Sequence, residues 1–154
     1  MAKRVQSDSK VQREIELLML EKIKLLLKDD SLKSSRVPLD ADETSYIHPD
    51  FFSEESKIIG EIHAHIGRLK GSQPGKIARD ILKMNLLEDI RKCKFRKYIA
   101  VCNEEEYKQL TEGDSFLKIA IETYDVKILL INDLNASVIE RLEASMKRQN
   151  LIES

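Results

Sequence analysis

The stretch that decides the fold is Ser45–Ile66, SYIHPDFFSEESKIIGEIHAHI, in which two strand-like runs meet at a short polar turn, Glu54-Glu55-Ser56. Successive side chains of a strand point to opposite faces of the sheet. The first run therefore places His48, Asp50 and Phe52 on one face. Acidic and imidazole groups that alternate with apolar residues predict a hairpin with one chemically active face.

The second run has the same alternation. Glu61, His63 and His65 share one face, and the other face is formed by small or apolar residues, namely Ile58, Gly60, Ile62, Ala64 and Ile66. Both strands of the predicted hairpin thus direct acidic and imidazole side chains to a single surface.

The turn sets the register of this hairpin. A two-residue turn at Glu55-Ser56, or a four-residue loop with the same centre, pairs Asp50 with Glu61 and His48 with His63. Directly opposed Cβ atoms lie ~4.5–5.5 Å apart, and like charges there destabilise a hairpin. A divalent cation between the carboxylates would relieve that repulsion, and hard oxygen ligands suit Mg²⁺ or Mn²⁺.

Length and composition predict a single domain of 154 residues with a net charge of −1. We expect a flexible N-terminus over residues 1–10, a domain core over 11–102 and an α/β extension over 103–154. Near-neutral charge means that nucleic-acid binding requires a local basic patch.

No apolar run approaches the ~20 residues that span a bilayer, and the first residues contain no apolar signal segment. The expectation is a cytoplasmic protein that does not bind membranes.

The remaining sequence predicts helices that alternate with buried strands. Apolar periodicity indicates a first helix over Val11–Lys28, and a short edge strand is predicted near Arg36–Leu39. The other predicted elements are helices Pro74–Lys92, Glu104–Leu110, Ser115–Tyr124 and Ala136–Gln149, and strands Phe95–Cys102 and Val126–Ile131. This order predicts an α/β sandwich, with one mixed β-sheet flanked by helices.

Two short motifs on the hairpin resemble those of the PD-(D/E)XK nuclease superfamily. Pro49-Asp50 is similar to the PD element, and Glu61-Ile62-His63 to the (D/E)XK element, with His63 where the family usually has Lys. The order of elements over residues 11–102 is also similar. The resemblance implies a restriction-endonuclease-like fold.

The resemblance also implies a reaction and its residues. Asp50 and Glu61, with the backbone carbonyl of Ile62, would hold Mg²⁺ or Mn²⁺ for phosphodiester hydrolysis, in DNA rather than RNA. His63 would act as the general base, because an imidazole titrates in the range that this role needs. A homodimer is left open.

Several other side chains are candidates for the same site. A further acidic ligand is expected from the first helix, where Glu14 and Glu21 are predicted to share a stripe with Leu18 and Leu25, and the sequence does not choose between them. His48, His65 and Asp80 are candidates for supporting roles around the metal.

Helical spacing also places four polar residues of the second predicted helix on one stripe: Gln73, Lys76, Asp80 and Lys83. Lys76, with Gln73, is the candidate for phosphate contact. Basic residues cluster at Arg68, Lys70, Lys76, Arg79 and Lys83, and again between Arg91 and Lys97.

Three other interpretations remain at this point. In the first, the chain has a nuclease fold that binds a protein or a nucleic acid without catalysis, as the replacement of Lys by His63 indicates. In the second, the imidazoles of His48, His63 and His65 form a transition-metal site. In the third, Asp50 and Glu61 are ordinary solvated strand residues.

Overall fold

A computed structural model describes residues 2–134 together with 140, 143–144 and 147–148, and it describes side chains from residue 10 onward. The elements in chain order are α1 (Ala2–Leu27), β1 (Val37–Pro38), β2 (Tyr46–Ile47), β3 (Phe51–Ser53), β4 (Ile58–His63), α2 (Gln73–Arg91), β5 (Arg96–Val101), α3 (Glu104–Glu112), α4 (Phe116–Thr123) and β6 (Val126–Leu130).

The main sheet has four strands in the order β3-β4-β5-β6. Strand β3 is antiparallel to β4, whereas β4, β5 and β6 are mutually parallel. Parallel neighbours need a crossover connection, and α2 provides it between β4 and β5. The prediction of a mixed sheet is therefore confirmed.

Helices cover both faces of this sheet. Buried residues of α1 pack with Ile58 and Tyr98 on one face. Buried residues of α2, α3 and α4 pack with Ile59 and Ile99 on the other face. This arrangement confirms the predicted sandwich of helices around a central sheet.

The β3–β4 hairpin has the predicted register. Phe51 pairs with Gly60 and Ser53 with Ile58, so a four-residue loop over 54–57 connects the strands. A Cβ atom on Gly60 would lie only 2.0 Å from the Phe51 ring. The absence of a side chain at Gly60 thus allows the fully buried Phe51 to lie across β4.

The first predicted run is interrupted, contrary to expectation. Ile47 pairs with Val37, so β1 and β2 form a separate two-stranded sheet instead of extending the main one. Pro49 lacks the N–H that a continuous ladder needs and is found at strand interruptions. The strand predicted near Arg36–Leu39 is present, but it is not an edge of the main sheet.

Helix α1 differs from the prediction in its start and in its buried face. It begins at Ala2 instead of Val11. Its buried positions include Ile15, Met19 and Ile23, which are spaced four residues apart, whereas Leu18 is 44% exposed and Leu25 72% exposed. The predicted stripe through Leu18 and Leu25 was wrong because several leucines of this helix face outward.

The other predicted helices and strands are confirmed, with shifts of one or two residues at their ends. The helix predicted over Ala136–Gln149 falls mostly outside the described residues, and the flexibility of residues 1–10 stays a prediction. In the described part of the chain, no helix combines the length and apolar character needed to cross a bilayer.

Candidate active site

Asp50 and Glu61 lie together at the base of the β3–β4 hairpin. Oδ2 of Asp50 accepts a hydrogen bond of 2.7 Å from the backbone N–H of Ile62. The side chains of Asp50 and Glu61 are hydrogen-bonded to each other. Burial, followed by the charges of Asp50 and Asp80, raises the pKa of Glu61 to about 10. At neutral pH, Glu61 therefore holds the proton of a carboxyl–carboxylate pair.

This pair has the chemistry of a divalent-cation site. Two oxygen donors that repel each other when both are ionised suit a hard cation, and the Ile62 carbonyl belongs to the same segment. Among the residues that the structure describes, no group of three or more His, Cys, Asp or Glu side chains is placed to hold a metal. A cation here would therefore be held by Asp50, Glu61 and backbone or solvent oxygens.

Helix α2 directs a polar stripe toward these carboxylates. Gln73, Lys76, Asp80 and Lys83 all line one cavity of about 450 Å³, beside Ile62 and His63 of β4. The stripe predicted from helical spacing thus faces a single space. Asp50 and Glu61 do not line the cavity themselves, but the charge of Asp80 acts on Glu61.

Asp80 is the third carboxylate of this region. Burial, opposed by the nearby charge of Lys83 and reinforced by the charge of Asp50, raises the pKa of Asp80 to about 6. Asp80 is therefore in electrostatic contact with the hairpin carboxylates, and its supporting role around a metal stays a prediction. Asp80 is half-buried and interacts electrostatically with Asp50 of the hairpin and with Lys83 of α2.

The acidic residue that α1 contributes is Glu16, and neither predicted candidate lines the cavity. Glu16 lines the cavity, and burial together with the charge of Asp50 raises its pKa. Glu21 is exposed and pairs with Lys24 at 3.1 Å. Glu14 is partly buried but is not a cavity residue. The error follows from the wrong helix phase, because Glu16 is three residues before Met19 on the buried side of α1.

His63 projects from the end of β4 and lines the cavity, and its role as a general base stays a prediction. Its Nδ1 contacts Oε1 of Glu106, a residue of α3 that has no exposed surface. His65 is also buried, with Nδ1 3.5 Å from Oε2 of Glu106. No sequence pattern distinguishes Glu106 from the other two of the three consecutive glutamates that begin α3, because the parallel pairing of β4 and β5 is what brings that turn beside His63.

His48 does not take the predicted position across from His63. It is exposed, and the ladder between β3 and β4 ends at the pair Phe51 and Gly60. The segment before Pro49 does not continue along β4, because Tyr46 and Ile47 pair with β1 instead. The predicted site of three imidazoles was wrong, because among the described residues no three such side chains are placed to hold a metal.

The basic residues divide between the cavity and other places. Lys70, Lys76, Arg79 and Lys83 line the cavity, whereas Arg68 lies elsewhere. In the second cluster, Arg91 pairs with Glu54, and Lys97 is buried against Glu88 at 2.6 Å. The first cluster without Arg68 thus forms a basic patch at the cavity, whereas Arg91 and Lys97 of the second cluster are engaged within the fold.

Gln109 fixes the loop that connects β4 to α2. Its Oε1 accepts a hydrogen bond of 2.9 Å from Leu69 N–H, and its Nε2 donates to Leu69 O at 3.4 Å. This double contact ties α3 to the loop that contains Lys70. The start of α2, with its cavity-lining residues, is thereby held near the end of β4.

Comparisons with protein-family models, with curated proteins and with solved structures found no match for this chain.

Proposed function

We propose that this chain is a metal-dependent nuclease with a restriction-endonuclease-like fold that hydrolyses DNA, and that Asp50 and Glu61 hold its Mg²⁺ or Mn²⁺. The observation that carries the proposal is the carboxyl–carboxylate pair, in which Glu61 has a pKa of about 10 beside Asp50. Such a pair costs folding free energy at neutral pH, and carboxyl groups with strongly raised pKa values concentrate at functional sites. The antiparallel hairpin, the α2 crossover and parallel β5 also agree with the element order of the resemblance.

The reaction would use the cavity next to this pair. A bound cation would polarise the phosphodiester and stabilise the charge that develops on it. His63 would accept a proton from the attacking water as its oxygen bonds to phosphorus. The bond from phosphorus to the leaving sugar oxygen breaks, and that oxygen gains a proton from solvent. Lys76 and Gln73 would contact the phosphate from the first turns of α2.

The replacement of the usual Lys by His63 is compatible with this scheme. A neutral imidazole accepts a proton more readily than an ammonium group, but it does not offset the phosphate charge. Lys76 and Lys83 line the same cavity and supply two positive charges there. In this proposal, the two roles that the family combines in one Lys are divided between His63 and α2.

Incubation of pure protein with plasmid and linear DNA, with Mn²⁺ or Mg²⁺ and with chelator, tests the proposal. Cleavage should require the cation and fall at least about 100-fold in Asp50→Ala, since metal-site stabilisation supplies several kcal/mol. Glu55→Gln is the matched control, because it removes a carboxylate from the exposed tip of the same hairpin. Absence of cleavage by the wild-type chain, or full activity in Asp50→Ala, would overturn the proposal.

The second candidate function is a nuclease fold that binds nucleic acid without cutting it. His63 in place of Lys favours it, because an imidazole does not supply the permanent positive charge of the usual Lys. This candidate predicts DNA binding that is independent of Mn²⁺, weakened by Lys76→Ala and Lys83→Ala, and accompanied by no cleavage. Electrophoretic mobility shifts with intact DNA recovered from the complex would support it.

A further inference from the structure

Glu106 is a fully buried carboxylate beside the imidazoles of His63 and His65. It lies in the first turn of α3, where Asn103 caps the helix by accepting a hydrogen bond from Glu106 N–H at 3.3 Å. Oε1 contacts Nδ1 of His63, and Oε2 is 3.5 Å from Nδ1 of His65. Within the described residues, Oε2 has no hydrogen-bond partner. A buried carboxylate without full compensation weakens a fold, so packing alone does not explain this residue.

The contact with Glu106 has a consequence for the protons of His63. An ionised carboxylate only accepts hydrogen bonds, so the ring nitrogen that faces it must carry the hydrogen. In a neutral imidazole, one nitrogen is protonated and the other has a free lone pair. Nδ1–H directed at Glu106 leaves Nε2 as the nitrogen that accepts a proton.

We propose that Glu106 is a positioning residue that fixes the Nδ1–H tautomer of His63, so that Nε2 serves the cavity that the ring lines. The reaction that uses Nε2 rests on the proposed function. The tautomer itself depends only on the contact between His63 and Glu106. His65 lies on the other side of the same carboxylate, near Oε2, and the centroid of its ring is 5.7 Å from that of the His63 ring.

Carboxylates that hold a neighbouring imidazole in one tautomer occur widely in sites where a histidine binds a metal or transfers a proton. Here the carboxylate comes from α3, whereas the imidazole comes from β4. Parallel pairing of His63 with Val101 brings the end of β5, and therefore the start of α3, beside the imidazole.

Long-range ¹H–¹⁵N spectra of the full chain, labelled on histidine and free of metal and DNA, test the tautomer at a pH where the imidazoles are neutral. The chain has three histidines, so single His48→Gln and His65→Gln variants suffice to assign the signals. We expect His63 in the Nδ1–H form in the wild-type chain. Glu106→Leu, which cannot accept a hydrogen bond, should make the Nε2–H form dominant, and Glu105→Leu at an exposed position should not. A wild-type His63 in the Nε2–H form would overturn the proposal.

Cleavage kinetics test the consequence for the reaction. In Glu106→Leu, kcat should fall about 10- to 100-fold while KM for DNA stays within about twofold, as for other residues that orient a functional imidazole. An altered tautomer with unchanged kcat would overturn the positioning role. A wild-type chain with the expected tautomer that cuts no DNA would sink the proposed nuclease and leave the tautomer assignment standing. If Glu106→Leu does not fold, the wild-type spectrum alone decides the assignment.

Discussion

Glu61 retains its proton because its own carboxyl group is largely buried and because Asp50 lies beside it. The two side chains share a hydrogen bond, and Asp50 in turn accepts the N–H of Ile62 at 2.7 Å. A cation that binds both carboxylates must displace this proton, so metal binding and proton release are linked. This linkage makes several properties of the chain measurable without knowledge of its biological substrate.

The first prediction concerns stability and pH. Glu61 has an ordinary pKa of 4.5 when unfolded and about 10 when folded. The unfolded chain therefore loses this proton first as pH rises, and the stability linked to Glu61 falls between those values. Glu61→Gln should raise the free energy of unfolding above pH 4.5 by at most about 1.4 kcal/mol per pH unit.

Urea unfolding at pH 4.5 and pH 7.5 measures this difference. The control is Glu55→Gln at the exposed hairpin tip. A gain in Glu61→Gln that is the same at both pH values would contradict the assignment of a retained proton to Glu61.

The second prediction concerns the close approach of Phe51 to Gly60. A methyl group on Gly60 would lie 2.0 Å from the ring, which is fully buried and in contact with Tyr98 at a centroid distance of 6.5 Å. Gly60→Ala should therefore cost about 1–3 kcal/mol of folding free energy, as overpacking does elsewhere. Gly71→Ala is the comparison, because its Cβ would meet no atom within 4 Å and only its positive φ would oppose it. Equal stability of Gly60→Ala and the wild-type chain would show that the hairpin is packed differently.

The third prediction distinguishes the acidic residues of α1. Glu16 lines the cavity and senses the charges of Asp50 and His63, whereas Glu21 is exposed beside Lys24. Glu16→Gln should weaken Mn²⁺ binding roughly 10-fold, as loss of an outer residue of a metal site does. Glu21→Gln should leave Mn²⁺ binding unchanged. Weaker Mn²⁺ binding in Glu21→Gln but not in Glu16→Gln would contradict this assignment and would support the predicted stripe through Leu18 and Leu25.

The fourth prediction concerns the buried ion pair between Lys97 of β5 and Glu88 of α2, which links that helix to the sheet. Lys97 Nζ is buried 2.6 Å from Glu88 Oε1 and 2.9 Å from Asn85 Oδ1. Lys97→Met leaves the Glu88 carboxylate without its cation and should cost about 3–5 kcal/mol. Lys108→Met breaks an exposed pair with Glu104 and should cost less than about 1 kcal/mol. Denaturant unfolding measures both losses, and similar losses of unfolding free energy in the two variants would argue against a buried ion pair at Lys97.

The hairpin register was accessible from sequence because it depends on local information. The alternation of side chains and the position of the polar turn suffice to pair residues 50 and 61, and Gly60 with Phe51. The polar stripe of α2 was accessible for the same reason, since helical spacing alone places Lys76 and Asp80 on one side.

What the sequence did not give depends on contacts between distant segments. Glu106 meets His63 only because β4 and β5 pair in parallel and α3 begins where β5 ends. The phase of α1 was misjudged because leucines lie on both of its sides, and burial at Met19 is decided by packing against the sheet. The predicted position of His48 across from His63 was wrong because the strand is interrupted at Pro49.

Calorimetric titration of the metal-free chain with Mn²⁺ at pH 7.5, in two buffers with different protonation enthalpies, tests most directly whether Asp50 and Glu61 hold a cation. The account predicts one Mn²⁺ per chain, release of about one proton on binding, and loss of binding in Asp50→Ala and Glu61→Gln but not in Glu55→Gln. Binding that releases no proton, or that persists in Glu61→Gln, would contradict the account.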